Sequence, residues 1–251
     1  MDDLKLLIDL HEGGARQGPG GDKETCLAID MSGLRGTPNL KIADIGCGTG
    51  ASTLVLAQQL DAQITAVDFL PEFLKVLDES SRRLGLADRI TTLAQSMEEL
   101  PFGEAELDAI WAEGAIYNMG FEAGVIAWRS FLRPGGILAV SEITWLTNTR
   151  PDELQAHWDA EYPEIDTASG KIAILERHGF SPIGYFPLPE HCWIDNYYQP
   201  MRNRFEGFLS AHNHSTAAKA IVQAEETEIA LYERNRDFVS YGFYIARKHG
   251  D

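Results

Sequence analysis

Two patterns of apolar residues, one typical of buried strands and one typical of helices, alternate along most of the chain. Short apolar runs, such as ITAV and GILAV, are followed by stretches in which apolar residues recur at helical spacing. The runs are nearly uninterrupted, which is typical of strands that are buried on both faces. Strands that alternate with helices in this way predict an α/β fold, in which helices cover both faces of a mostly parallel sheet.

The predicted elements follow closely on one another from residue 40 to residue 141. The predicted strands are the apolar run from Leu40, QITAV ending at Asp68, ITTLA, LDAIWA and GILAVSE. The predicted helices cover 2–10, 22–31, 51–60, 71–85 and 125–132, with Asp22 as the N-cap of the second. Such regular alternation predicts one large α/β unit.

After residue 141 the pattern changes to long helical segments. We predict helices from Pro151 and over 168–178, and a further long helix before the last strand. Insertions of this size are too long for tight turns, and we predict that they form a cap over the carboxyl edge of the sheet. Its aromatic residues are Trp145, Trp158, Trp193, Tyr197 and Tyr198. They either pack the cap onto the sheet or bind a flat or cationic ligand.

The segment LKIADIGCGTG combines a strand with a turn that contains Gly46, Gly48 and Gly50. A strand, a glycine-rich turn and a helix form the nucleotide-binding unit of open α/β sheets. Dinucleotide-binding turns have the spacing G-x-G-x-x-G, whereas this turn reads G-x-G-x-G. The pattern therefore indicates a nucleotide-like ligand and leaves its kind open.

Two further signals fall on the same predicted edge of the sheet. Asp68 ends the second strand, where an ionised carboxylate suits the two hydroxyls of an unphosphorylated ribose. Its alternative role is to cap the next helix. Ser96 and Met97 follow the third strand, and the flexible thioether of Met97 could pack against a base. Together they predict a ligand with a ribose and a base.

An N-terminal loop, HEGGARQGPGG, precedes the second helix. A loop rich in glycine and proline is either a linker or a segment that closes over a ligand. Arg16 and Gln17 could reach a ligand carboxylate from it. The sequence favours the linker.

Five motifs occur in an order that resembles the class I S-adenosylmethionine-dependent methyltransferases. They are IADIGCGTG, the acid in AVDF, the SMEELPF loop, LDAIWAEGAIYN and the turn LRPGG before GILAVSE. The resemblance covers about 40–141. It implies a Rossmann-like, seven-stranded sheet, in which the last two strands, at 181–186 and 238–246, form a hairpin that adds one antiparallel strand.

The resemblance also implies roles for individual residues. Asp44 and the turn with Gly46, Cys47, Gly48 and Gly50 would hold the methionine part of S-adenosylmethionine, Asp68 would bind the ribose, and Phe69, Ser96 and Met97 would line the adenine site. Glu113, Tyr117 and His191 are the candidates for orienting or deprotonating the methyl acceptor. Glu113 could instead cap the following turn. Methyl transfer is an in-line displacement, so positioning supplies most of the catalysis.

The resemblance predicts a transferase that methylates a small molecule. A nicotinamide-dependent oxidoreductase and a non-catalytic nucleoside-binding module are the alternatives. The acceptor atom, which is carbon, nitrogen, oxygen or sulfur, stays open. We predict a single domain over 1–251, with N-terminal helices and a lid loop at 1–39, a cofactor-binding core at 40–141, and cap insertions at 142–180 and 187–237.

Charge and cysteine content narrow the partners. The formal net charge of -17 disfavours nucleic acid, whose phosphates such a surface repels. The acidic N-terminus and the lack of a long apolar segment favour a cytoplasmic protein without membrane contact. Three scattered cysteines predict no disulfide framework. His191 and Cys192 are adjacent, no third ligand has suitable spacing, and we predict no metal site.

Overall fold

The computed structural model describes residues 3–250, so Asp2, where the first helix was predicted to begin, lies outside the described residues. The strands are β1 (Leu40–Ile45), β2 (Ala62–Asp68), β3 (Ile90–Ala94), β4 (Leu107–Glu113), β5 (Leu132–Trp145), β6 (Asp166–Thr167), β7 (Phe180–Pro187) and β8 (Val239–Lys248). The helices are α1 (Asp3–His11), α2 (Asp22–Ser32), α3 (Ala51–Gln59), α4 (Pro71–Arg83), α5 (Phe121–Arg129), α6 (Asp152–Glu161), α7 (Ala168–Arg177), α8 (Glu190–Trp193), α9 (Gln199–Ala211) and α10 (Thr216–Asn235).

The strands form one sheet in the order β3-β2-β1-β4-β5-β8-β7, with the two-residue β6 paired to β5. The pairs from β3 to β5 are parallel, and β8 is antiparallel to both β5 and β7. The predicted mostly parallel, Rossmann-like sheet with one antiparallel strand is confirmed. The chain reverses its direction of winding between β1 and β4, and ligands of open α/β sheets bind outside the carboxyl ends of the strands at such a point.

Both faces of the sheet are buried, as the uninterrupted apolar runs predicted. On β4, Trp111 belongs to one hydrophobic cluster, together with residues of α2, α3 and α4. Its neighbours Ile110 and Ala112 point to the other face and pack with residues of α5 and α7. The helix α7, which the sequence placed in a cap insertion, therefore covers the sheet instead, because Leu175 completes the second cluster.

Two local predictions are wrong. Asp22 is the first residue of α2 and not its N-cap, which is Gly21. Its carboxylate accepts a hydrogen bond from Arg16 instead. The helix predicted at 125–132 is α5, which begins at Phe121 and ends at Arg129, and Leu132 already belongs to β5.

The cap consists of α1 packed against α9 and α10, with a π-helical turn (Ile194–Tyr198) joining α8 to α9. Its aromatic rings pack on one another. Trp193 stacks on Tyr232 with ring centroids 4.3 Å apart, and Tyr198 lies 5.9 Å from Trp193. Among the helices of residues 3–250, none is long and apolar enough to cross a membrane.

Candidate functional site

The glycine turn after β1 needs its three glycines for both conformation and space. Gly46, Gly48 and Gly50 have φ angles of 71°, 55° and 90°, in the region that L-residues with a side chain rarely adopt. A Cβ atom on Gly46 would collide with Ala115, and one on Gly50 would collide with Leu77. The turn therefore lies closely packed against its neighbours, with its backbone facing the carboxyl edge of the sheet.

Asp68 ties the end of β2 to this turn. Its Oδ2 accepts a hydrogen bond from the Gly48 amide at 2.8 Å, and its Oδ1 accepts one from the Leu70 amide at 2.9 Å. Burial raises the pKa of Asp68, although these backbone amides oppose the rise. The N-cap of α4 is Leu70, so the helix-cap alternative is wrong in detail. Each carboxylate oxygen keeps one acceptor site for a ligand hydroxyl.

Asp44 lies behind the turn and is fully buried. Its Oδ2 accepts hydrogen bonds from the hydroxyls of Ser52 at 2.8 Å and Thr53 at 2.6 Å. Its Oδ1 has no partner among the described residues. Burial raises the pKa of Asp44 to about 7, against the effect of the two hydroxyls. A buried, unpaired carboxylate oxygen is costly, and a ligand donor that reached it would relieve that cost.

A cavity of about 560 Å³, here called the glycine-turn cavity, opens in front of the turn. It brings together most of the predicted site. The predicted residues that line it are Gly46, Cys47, Gly48, Asp68, Phe69, Ser96, Met97, Glu113 and Tyr117. Phe69 is 70% exposed, so its ring is free to cover a ligand. Asp44 and Gly50 shape the turn from behind, and neither they nor His191 line the cavity.

The N-terminal loop closes over the glycine turn, so the predicted linker is wrong. The Oε1 atom of Gln17 accepts hydrogen bonds from the Thr49 amide at 2.8 Å and the Thr49 hydroxyl at 3.0 Å. Its Nε2 donates to the carbonyls of His11 and Gly14. Arg16, Gln17, Gly18 and Pro19 line the cavity. The sequence signal for them was the pair of polar residues between glycines, but nothing local showed which turn they would contact.

Glu113 binds this loop and does not cap the turn that follows β4. Its Oε2 accepts a hydrogen bond from Arg16 at 3.0 Å, and its Oε1 accepts from Thr25 at 2.7 Å and from Trp111 at 3.0 Å. The two charged side chains are only 10% and 8% exposed. Burial lowers the pKa of Arg16, but Glu113 and Asp22 outweigh this and raise it. The buried ion pair joins the N-terminal loop to the carboxyl end of β4.

Tyr117 marks the boundary between two cavities. It lies in the short helical turn Ile116–Asn118, is 39% exposed, and packs edge-on against Tyr162. A second cavity of about 800 Å³, here called the aromatic cavity, lies on its other side under the cap. Gln17, Gly18, Pro19, Gly114 and Tyr117 line both cavities. A ligand in one of these cavities would therefore lie next to the other cavity.

His191 faces a third cavity that shares Arg16 with the first. Its Nε2 lies 3.2 Å from Oε1 of Glu24 and 3.8 Å from Sγ of Cys192. The side-chain atoms of Glu24, His191 and Cys192 that could bind a metal ion all lie within 4.8 Å of one another. Glu24 is thus the third potential metal ligand beside His191 and Cys192. The sequence spacing missed it, because α2 and α8 meet only in the folded chain. His191 therefore lines neither the glycine-turn cavity nor the aromatic cavity.

Comparisons with known proteins agree with this arrangement. Residues 42–136 match the family model described as a methyltransferase domain. The predicted resemblance to class I methyltransferases is confirmed. A curated relative, the 27-O-demethylrifamycin SV methyltransferase of Amycolatopsis mediterranei, is 27% identical over 136 residues, which is 54% of this chain and 48% of the relative. The chain thus spans about half the length of that relative.

Two solved structures share this fold over nearly the whole chain. One is an S-adenosylmethionine-dependent methyltransferase from Geobacter sulfurreducens in complex with S-adenosyl-L-homocysteine, with a TM-score of 0.85, 16% identity and 98% coverage of each chain. The other is the [4+2]-cyclase SpnF, with a TM-score of 0.78 and 20% identity, covering 99% of this chain and 93% of that one. The fold therefore occurs in proteins whose names state different reactions.

Proposed function

We propose that the protein transfers a methyl group from S-adenosylmethionine to a small molecule. The observation that carries the proposal is the pair of adjoining cavities, one built around the glycine turn and one under the aromatic cap, which meet at Tyr117. This gives a donor and an acceptor separate places with a shared wall. The match to the methyltransferase domain supports the same activity.

The residues of the glycine-turn cavity fit the proposed donor. The turn offers backbone without Cβ atoms, Asp68 offers acceptor sites for ribose hydroxyls, and Asp44 has an unpartnered oxygen behind the turn. Met97 and Phe69 supply apolar surface for a base. The remaining roles follow the sequence-based assignment, in which Gly46, Cys47, Gly48 and Gly50 would hold the methionine part and Ser96 would line the adenine site.

S-adenosylmethionine, when bound, supplies an activated methyl group: the acceptor's electron pair bonds to the methyl carbon, the carbon–sulfur bond breaks, and its electrons stay on sulfur. The protein's own part is positioning. We assign Tyr117 to the wall where donor and acceptor meet. We assign Glu113 to holding the N-terminal loop closed through Arg16, because three donors already occupy its carboxylate.

The remaining parts of the proposal concern the protein as a whole. We propose one domain over 1–251 that acts in the cytoplasm as a member of the enzyme class that transfers methyl groups, EC 2.1.1. We also propose that nucleic acid is no substrate, since the net charge is -17.

Calorimetry and a transfer assay test the proposal. We expect S-adenosylhomocysteine to bind to the purified protein and NAD not to bind. With S-adenosylmethionine carrying a labelled methyl group, we expect label in at least one product from a broad metabolite panel. Binding of NAD without S-adenosylhomocysteine would favour the oxidoreductase. Binding of S-adenosylhomocysteine with no labelled product would favour a non-catalytic module.

A further inference from the structure

The aromatic cavity combines a ring-lined wall with an excess of negative charge. Its rings include Tyr117, Trp158, Tyr162, Trp193, Tyr197 and Tyr241. Glu161, Glu225 and Glu228 also line it, and within residues 3–250 no lysine or arginine does. Aromatic faces and carboxylates attract the same kind of ligand group, which is a cation.

The helix α10 places two of these carboxylates side by side. Glu225 and Glu228 are three residues apart, so they lie on one face of the helix. Oε1 of Glu228 accepts a hydrogen bond from the Tyr198 hydroxyl at 3.0 Å, and no group in the described part of the chain donates to its Oε2. The second oxygen of Glu228 is therefore available to a ligand in the cavity.

Among the described residues, a histidine partly offsets the charge of this pair. The only basic group at Glu225 among the described ion pairs is His11, whose Nε2 lies 3.4 Å from Oε1 of Glu225. Arg204, which does not line the aromatic cavity, donates to the backbone carbonyls of Leu10 and Pro200. Burial raises the pKa of Glu228, and Glu225 and Glu161 raise it further while His11 lowers it. A cation in the cavity would offset this repulsion.

The same negative field acts on the rings. Burial raises the pKa of Tyr197, and Glu225 and Glu228 add to that rise, while Arg204 opposes it. Tyr117 lies at the boundary with the glycine-turn cavity. Burial is the largest cause of its raised pKa, and Glu228 raises that pKa further. The field of the carboxylates therefore extends from the end of the cavity at α10 to the place where the two cavities meet.

We propose that the aromatic cavity binds a methyl acceptor that carries a cationic group, a protonated amine or a quaternary ammonium, with the cation held between Glu228, Glu225 and the ring of Tyr197. This proposal rests on the proposed methyltransferase function and adds the class of its acceptor. The atom that receives the methyl group lies at the Tyr117 end, next to the glycine-turn cavity. The cation therefore anchors the acceptor and need not itself be methylated.

A matched pair of probes isolates the effect of the charge. Choline and 3,3-dimethylbutan-1-ol have nearly the same shape, but only choline is charged. With the protein saturated with S-adenosylhomocysteine, we expect calorimetry to show choline binding about tenfold more tightly than the alcohol. Equal affinities, tighter binding of the alcohol, or no binding of either probe would overturn the proposal.

Two variants on α10 show whether the cavity carboxylate is responsible. Glu228→Gln keeps an acceptor for the Tyr198 hydroxyl and removes the charge, so we expect choline affinity to fall about fivefold or more while the alcohol is unaffected. Glu226→Gln is the control, because Glu226 pairs with Arg202 and does not line the cavity. An equal loss for both probes in Glu228→Gln, or the same loss of choline affinity in Glu226→Gln, would contradict the assignment.

The same samples separate this proposal from the proposed function. Binding of S-adenosylhomocysteine without a preference for choline would overturn the cationic acceptor and leave the cofactor assignment standing. Absence of S-adenosylhomocysteine binding would instead contradict the proposed function.

Discussion

Asp68 and the glycines of the turn are the residues on which the cofactor assignment depends most directly. Asp68 joins β2, the turn and the start of α4 through two backbone amides. Gly50 allows α3 to begin in contact with Leu77 of the neighbouring helix. Asp68 is therefore assigned to ligand binding, whereas Gly50 is needed for packing. Substitutions at the two positions can measure these roles separately.

We expect Asp68→Ala to weaken the binding of S-adenosylhomocysteine by about 1–3 kcal/mol, because hydrogen bonds to a charged acceptor are lost. Titration calorimetry measures the affinity, and a melting curve shows that the variant is folded. Asp61→Ala is the control: Asp61 accepts a hydrogen bond from the Asn39 amide at the opposite edge of the sheet. A folded Asp68→Ala protein with wild-type affinity would show that Asp68 only supports the turn.

Gly50→Ala and Gly85→Ala compare space with backbone conformation. Both glycines have positive φ angles, 90° and 70°, but a Cβ atom on Gly85 would meet nothing within 4 Å. We expect Gly85→Ala to cost about 1 kcal/mol of unfolding free energy through backbone strain alone. Gly50→Ala should cost about 1–3 kcal/mol more, because the new methyl group overlaps Leu77. Urea denaturation measures both, and equal losses would mean that Leu77 moves aside at no cost.

At the scale of elements, we propose that the N-terminal loop between α1 and α2 is the lid of the glycine-turn cavity. Gln17 binds Thr49 on the turn, and Arg16 binds Glu113 at the end of β4. These contacts join the loop to two adjacent strands of the sheet. They also hold Gly18 and Pro19 where the two cavities meet.

We expect Gln17→Ala to open this lid locally. The substitution removes the acceptor for the Thr49 amide and the donor to the His11 and Gly14 carbonyls. Hydrogen exchange, read by mass spectrometry, should become faster in the segments that contain 12–21 and Thr49, and S-adenosylhomocysteine should slow it in the wild type. The exposed loop 103–106 serves as the internal control. Unchanged exchange at 12–21 in the variant would contradict the assignment of a lid.

The elements that the sequence predicted best are those with local signals. The period of apolar residues sufficed for the alternating strands and helices, and Gly46, Gly48 and Gly50 marked their turn because a positive φ angle is a local demand. Contacts across the chain have no such signal. Arg16 and Glu113 are 97 residues apart, and Gln17 and Thr49 are 32 apart. The contacts of the N-terminal loop with the glycine turn, and the cavity that His191 faces, could therefore be seen only in the structure.

At the scale of the whole molecule, buried acids and a strongly negative surface both connect stability to pH. Burial raises the pKa of Asp44 to about 7, and it raises the pKa of Glu142, next to Lys171, to about 7 as well. Lys171 and Glu142 are almost fully buried, with Nζ 3.4 Å from Oε1. The net charge of -17 adds repulsion between exposed groups, which salt screens.

The sign of the pH dependence follows from the raised pKa values. In the unfolded chain, Asp44 has its ordinary pKa near 4, so between about pH 4 and 7 the folded chain binds more protons. Stability is therefore highest at the acid side of this window and falls as the pH rises through it. One pKa unit corresponds to about 1.4 kcal/mol, which gives Asp44 an effect of up to about 4 kcal/mol.

Asp44→Asn separates the buried acid from the charged surface. The amide oxygen can still accept from Ser52 or Thr53, and the loss of an ionisable group removes the pH dependence of this site. In about 0.5 M salt, where repulsion between exposed charges is screened, we expect the unfolding free energy to fall less between pH 5 and pH 8 in Asp44→Asn than in the wild type. Asp30→Asn, in a side chain that is 56% exposed, should keep the wild-type slope. Parallel curves for the wild type and Asp44→Asn would show that Asp44 is ionised in both the folded and the unfolded chain across this range, and that the slope arises at Glu142 or at the surface.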